Sequence, residues 1–460
     1  MSPVAQRRPS HSSTMSMSDL PPELWLRIAH FTPDQDLFRL ASVNRLFLDM
    51  VLDRRYRQLI IDNDQPEALI AKLARIKRDP QVAARVHSLI IHPKAVRSAC
   101  LKASKAAKGR LRPVQNKHWP EAFRLRTAKI PVEEDVLLAD QFLDCLSYLH
   151  AVEELSIEWK HGADAENAFC IPFLGAVCML HASRLRVLKL DMMLSQFCNM
   201  IGPLAVLRRV QVLSIHFTRA DKHFESWDVP ADQSRRVLED LAAFLNRLSP
   251  TLQNLSISSA GHVNMSPLFN RLLQFPQLNR VSLAVPSDPR HIPDPTGFRN
   301  FLSAHRRLEA LSFSPQYCCS QSALPLEAQH GFATTENWLE HAFGDIVFEN
   351  LQSLDLGLNI LGPGGKRVLP PVPRIGSAAK YTKSLRILGC MISLEDTRTL
   401  LYPFSQAGCG TNPRRLTVEV HVLTVELLDL LAEYLPGLEM LDLTYRWVGI
   451  SGYTNVVSPN

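Results

Sequence analysis

No Cys-x-x-Cys pair occurs in the 460 residues, and the nine cysteines are an odd number without a paired spacing, with Cys318 and Cys319 adjacent. This argues against a disulfide framework and a zinc site, and for free, mostly buried thiols in a reducing compartment. Long apolar runs are also missing. One apolar, uncharged stretch, 168–183, is broken by Pro172 and falls short of the ~20 residues that a membrane span needs. The N-terminal MSPVAQRRPSHSSTMSMS is Ser-rich without an apolar h-region, so it reads as neither signal peptide nor anchor. Residues 1–17 are expected to be a disordered tail, the location cytoplasmic or nuclear, and no membrane is expected as a partner. Catalytic signatures are lacking as well: no HExxH, GxSxG or EF-hand spacing occurs. The run Gly362-Pro-Gly364-Gly365-Lys366 looks like a phosphate loop, but Ile360 stands where its first glycine is needed and Arg367 where Ser or Thr is needed. It reads better as a turn. No enzymatic activity, cofactor or metal is expected.

Hydrophobic residues make up 46% and charged residues 21%, an ordinary balance for a folded chain, and the length suggests several domains or a repeat array. The net charge of +6 is unevenly spread. Between Lys94 and Lys129 eleven Lys/Arg face the single acid Glu121. Lys102, Lys105, Lys108, Arg110 and Arg112 could form a phosphate-binding or nuclear-import patch. No aromatic is interleaved before Trp119 and no nucleic-acid motif surrounds them, so 94–129 reads as a mobile, solvated insertion and nucleic acid is not an expected partner. In the tail, Arg7-Arg8-Pro9-Ser10 has the pattern of a basophilic kinase site.

From residue 86 onward a short apolar fragment, L-x-x-L-x-L, recurs in eleven copies. Its middle position falls at 89, 155, 188, 213, 255, 281, 311, 354, 388, 416 and 441. Several gaps are near the length of one strand plus one helix, and the 66-residue gap has room for two units or one insertion. Segments 132–149, 235–248, 266–274, 297–305, 335–342, 393–401 and 424–435 carry helical apolar spacing before the strands. Short parallel strands alternating with returning helices stack into a solenoid. This α/β arrangement resembles the leucine-rich repeat, in an irregular form, over 83–446, with 447–460 expected as a C-terminal tail. Nine of the eleven residues between the last two apolar positions are polar, which suits an open concave face.

Ahead of the repeats, 20–62 reads as two or three packed helices. Pro21 and Pro22 open the first, with Glu23 toward the positive end of its dipole, and Leu24, Ile28 and Phe31 fall on one face. Thr32 and Pro33 stop it. Asp34 is the expected N-cap of a second helix carrying Leu37, Leu40, Ala41 and Phe47, and a third begins near Arg45. An amphipathic helix, 66–78, lies in the linking segment 63–82. Helices this short expose more apolar surface than they cover, so part of the stripe needs a partner, internal or external. The pattern Leu20-Pro21-x-Glu23-Leu24, Ile28, then Asp36-Leu37-x-x-Leu40-x-x-Val43-x-Arg45 resembles the F-box, here over 18–62.

That resemblance implies docking to the Skp adaptor and through it to a cullin. The matching positions are Leu20, Pro21, Leu24, Ile28, Leu37, Leu40, Val43 and Phe47, which form either the adaptor surface or the small core behind it. Together the two resemblances imply a substrate receptor of a Skp-cullin-F-box ubiquitin ligase, holding an unknown protein target on the solenoid. Candidate target contacts on the concave face are Glu158, Trp159, Asp191, His216, Phe217 and Tyr445. The alternative is a non-catalytic repeat scaffold, unrelated to ubiquitin, whose helices dock onto their own solenoid.

Overall fold

The computed structural model describes residues 20–43, 45–107, 136–159, 164–218, 231–259, 264–285, 292, 294–314, 341–343, 346–357, 379, 381–405, 413–450 and 453–457. The tail with its kinase-like pattern, Lys108, Arg110, Arg112, Trp119, Cys318, Cys319, most of 335–342 and the run at 362–367 lie outside them. The chain divides into two compact units, 1–59 and 60–460, and the division falls within the first strand.

The first unit holds α1 (Pro22–Phe31), α2 (Asp34–Leu40) and α3 (Arg45–Tyr56). Proline in the opening turn of α1 removes a donor that would lack a partner there anyway. Thr32 closes the helix: its backbone N–H and its hydroxyl both donate to the Ile28 carbonyl, at 3.0 and 2.8 Å. Asp34 does not cap α2 as the sequence suggested. It is the first helical residue, and its carboxylate meets the Arg54 guanidinium at 2.5 Å. Phe47 belongs to α3, not to the second helix.

The second unit is built on a sheet whose strands stand in sequence order from β1 to β13. They are β1 (Gln58–Ile61), β2 (Ser88–Ile91), β3 (Glu154–Trp159), β4 (Val187–Met192), β5 (Val212–Phe217), β6 (Asn254–Ser259), β7 (Arg280–Ala284), β8 (Ala310–Phe313), β9 (Ser353–Gly357), β10 (Ser384–Ile392), β11 (Arg415–Leu423), β12 (Met440–Ile450) and β13 (Tyr453–Val457). From β2 to β12 every neighbouring pair is parallel, with leucines in register: Leu89, Leu155, Leu188 and Leu213 align in one buried row. Each such side chain removed from water contributes about 2 kcal/mol, and the row repeats two residues on with Ile91, Ile157, Leu190 and Ile215. A backbone ladder fixes the register before each strand. Gln211 N–H donates to Arg186 O, Gln253 to Gln211, Asn279 to Gln253 and Glu309 to Asn279, at 2.7 to 2.9 Å.

Helices return the chain between strands: α4 (Pro66–Arg78), α5 (Pro80–Ala84), α6 (Pro93–Ala107), α7 (Val136–Ser147), α8 (Asp164–His181), α9 (Leu194–Leu204), α10 (Ala231–Leu248), α11 (Ser266–Phe269), α12 (Thr296–Ala304), α13 (Leu394–Ser405) and α14 (Val425–Tyr434). The linking segment therefore holds two helices. Asp79 ends α4 and caps α5, its carboxylate accepting from the N–H groups of Gln81 and Val82. Cys100, Cys145, Cys170, Cys178 and Cys198 are in no disulfide, and burial pushes Cys178 up to about 12, which leaves it unreactive. Among the described residues no helix is long and apolar enough to cross a membrane.

Several expectations are corrected. β2 pairs directly with β3, so no strand lies between them in the sheet across the 66-residue gap. Its first part is no solvated loop: Val96, Ala99 and Cys100 of α6 are buried, and Lys102 binds Asp64 at 2.6 Å, holding that carboxyl below its usual range. In β10 the residue aligned with Leu354 and Leu416 is Leu385, not residue 388. Gly389, at φ 81, sits in an irregularity between Ile387 and Met391, so the outward position belongs to Arg386. Residues 447–460 are not simply a tail either. Trp447 and Val448 continue β12 alongside Val422 and Leu423, and β13 turns back on β12 as an antiparallel strand.

Candidate functional site

The helical module is organised around Trp25 and Phe47, whose rings meet edge to face with centroids 5.2 Å apart. Ala29, Leu37, Met50 and Val51 complete the buried core, and Leu20, Leu40, Ala41 and Leu46 pack partly against it. Arg54 ties the corner, donating to the carbonyls of Ala29 and Thr32 at 3.3 Å while it holds Asp34. It thus satisfies end carbonyls of α1 with a cation, the sign that the negative end of a helix dipole favours.

This packing separates the eight residues singled out from the sequence. Leu37 and Phe47 are core, 1% and 3% exposed, while Leu20 and Leu40 are half-buried on its rim. Pro21, Leu24, Ile28 and Val43 face solvent. On α1 the exposed Leu24 and Ile28 continue to Phe31, which is 75% exposed, and Leu26, Phe38 and Leu48 are open as well. Sequence reasoning overlooked Trp25 as the centre of the core. It also left Leu26, Phe38 and Leu48 unremarked, because exposed apolar residues break the periodicity that marks a helix face.

On the open face of the sheet, Glu158, Asp191 and His216 stand side by side on β3, β4 and β5. All three are half-buried. His92 Nε2 lies 3.8 Å from the Glu158 carboxylate, and His216 Nδ1 is 2.5 Å from Ser258 Oγ. Trp159 and Phe217 are not on this face: at 1% and 2% exposure they occupy the opposite parity and fill the core beneath. Tyr445 likewise shares the parity of Leu441 and Leu443 and is half-buried. Two residues before the Glu158 row, the outward positions from Ser156 and Lys189 to Asp355 and Arg386 are polar and carry ion pairs, Lys189 with Glu154 at 2.6 Å and Arg386 with Asp355 at 3.5 Å. Among the described residues no group of His, Cys, Asp or Glu could hold a metal ion.

Residues 17–62 match the family model described as F-box-like. No curated protein matches the chain. Among solved structures, the yeast complex of Rad7 and Elc1 contains a chain 13% identical, with TM-score 0.33, covering 82% of this chain and 92% of its own. An internalin (inlF) from Listeria monocytogenes is also 13% identical, with TM-score 0.31, covering 70% of this chain and 93% of its own.

Proposed function

We propose that this chain is the substrate-recognition subunit of a Skp-cullin-F-box ubiquitin ligase. The observation that carries the proposal is the row Leu24, Ile28 and Phe31, exposed on a helix whose other side is committed to a packed core, within a module that matches the F-box-like family. Apolar side chains held open on a rigid helix are ready for a partner, because ordering them costs nothing further when the partner arrives. The adaptor takes this face, with Pro21 and Val43 beside it, and the core residues Leu37 and Phe47 hold its shape.

The chain performs no bond chemistry in this role. It holds a protein target on its solenoid close to a ubiquitin-charged enzyme recruited through the cullin, and the rate gain is one of proximity. Polar side chains across the sheet, with Glu158, Asp191 and His216 adjacent, offer the target contact without reorganisation.

Co-purification with the Skp adaptor tests the proposal. The wild-type chain is expected to give a stoichiometric complex, and a variant carrying Leu24→Ala and Ile28→Ala is expected to lose it while the circular dichroism of the solenoid is unchanged. A wild-type chain that fails to bind the adaptor at all refutes the ligase role and leaves a repeat scaffold with a helical cap.

A further inference from the structure

Arginines distant in sequence collect along one edge of the sheet. The turns entering β4 to β8 are residues 183–187, 207–212, 247–254, 270–280 and 305–310. They contain nine arginines, no lysine and a single acid, Glu309. All nine arginines are exposed. The backbone ladder from Arg186 to Glu309 holds these turns in step, so strands about 4.8 Å apart set their spacing and the row extends about 20 Å.

Parts of this edge are fixed before any ligand arrives. Arg184 donates to the His150 carbonyl at 2.6 Å and Arg209 to the Ser183 carbonyl at 3.2 Å, each reaching back one turn and keeping further N–H groups for a partner. Asn246 pins the turn after α11 from both sides, donating to Arg271 O and accepting from Leu273 N–H. Arg271 is paired with Glu239 at 3.0 Å, but Arg208, Arg280, Arg306 and Arg307 have no ion pair among the described residues. Between the arginines lie apolar side chains, Leu273 at 62% exposure and Val206 at 37%. The aromatic rings of these turns, Phe275 and His305, are buried, so the edge presents no platform for stacked bases.

We infer that this edge docks an acidic polypeptide segment, an extended run of Asp and Glu carrying at least one apolar side chain. Planar guanidinium forks bind carboxylates in pairs, and at about 3.3 Å per residue some six extended residues span the row. At the opposite ends of the strands Glu158 and Asp191 carry the other sign, which steers such a segment to the arginine edge. The inference rests on the receptor half of the proposed function and adds the class of target. It does not involve the adaptor.

Fluorescence anisotropy of the full chain with a labelled peptide of about a dozen Asp and Glu residues around one Leu, sized to overhang the row, tests it. Replacing Arg208, Arg209, Arg306 and Arg307 by Glu is expected to weaken binding more than about tenfold, and raising the salt to weaken it in the wild type. The milder pair Arg208→Gln and Arg306→Gln is expected to show the same trend, which covers a reversed variant that fails to fold. Arg236→Glu, on α10 about 16 Å from Arg247, is expected to leave affinity unchanged. Equal affinity of wild type and arginine variants overturns the inference, as does tighter binding of a random-sequence DNA duplex that the same substitutions abolish. Because no adaptor is present in this assay, either outcome is independent of whether the helical module takes one.

Discussion

Replacing Leu24, Ile28 and Phe31 together by alanine separates docking from folding in the helical module. Their exposures are 44%, 42% and 75%. Full burial of such a side chain is worth about 1.5–3 kcal/mol, and only the exposed share is left to gain on docking. That leaves about 1 kcal/mol each for Leu24 and Ile28 and nearly 2 kcal/mol for Phe31. The sum, about 3–4 kcal/mol, corresponds to an affinity loss of a few hundredfold, read by titration calorimetry of the purified chain against the Skp adaptor. Thermal stability should scarcely change, since exposed positions contribute within about 0.5 kcal/mol. Leu37→Ala is the contrasting case: the side chain is 1% exposed, so its loss leaves a cavity and destabilises the module by about 2–5 kcal/mol. Full adaptor affinity in a folded triple variant refutes the reasoning, as does a Leu37→Ala chain that keeps its melting behaviour yet loses the adaptor.

In the solenoid, burial together with Arg184 and His150 lowers His181 from 6.5 to about 4, so the folded state holds it neutral while the unfolded chain protonates it below 6.5. Its contribution is complete above pH 6.5 and is lost as pH falls toward 4, at about 1.4 kcal/mol per unit. Urea unfolding should therefore show a loss of about 2 kcal/mol between pH 6.5 and 5 that His181→Leu removes; parallel profiles for the two proteins refute this. Gly297 lies in α12 with Asn270 against it, where an added Cβ would come within 2.6 Å of the Asn270 backbone nitrogen. Gly297→Ala is expected to lower stability by about 1–3 kcal/mol, and an unchanged melting temperature counts against that packing. At the far end, Val425, Leu428, Met440 and Leu441 are exposed on the last turn, where Leu441 occupies a row buried in earlier turns. Repeat arrays need polar ends to stay monomeric, so Leu428→Glu with Met440→Lys should reduce light scattering at high concentration, and unchanged scattering excludes this end as a site of self-association.

The repeat strands were readable because the pattern is local. Two apolar positions two residues apart, each repeated in the next turn, are what a one-sided parallel strand requires. Where a motif offered two candidate leucines the rule failed. In β10 Leu388, followed by Cys390, and Leu385, followed by Ile387, can each stand at the middle position, and only pairing with Leu354 and Leu416 selects Leu385. Parity caused the other error, since Glu158 and Trp159 are adjacent and cannot both face outward from a regular strand. The helix α8 went unrecognised for a different reason. Phe173, Leu174, Val177 and Cys178 are all buried, so it has no polar stripe to reveal its period, and Pro172 lies inside it.

The candidate sites differ in the same respect. The F-box-like stripe lies within a few turns of contiguous chain, so spacing alone drew attention to Leu24 and Ile28, but separating them from Leu37 and Phe47 required the packing around Trp25. Charge gave the opposite result. The contiguous basic stretch from Lys94 to Lys129 dominated the sequence, yet its Lys102 is engaged by Asp64 on a packed helix. The arginine edge left no such trace, because Arg186, Arg209 and Arg306 are separated by whole repeats whose acids cancel them in any linear count. A solenoid turns a period of strand plus helix into a spacing of one strand, so a charge repeated once per turn is dilute along the chain and concentrated in space. Its binding surfaces are therefore to be sought by comparing the same position in successive turns, as the ladder from Arg186 through Gln211, Gln253 and Asn279 to Glu309 permits here.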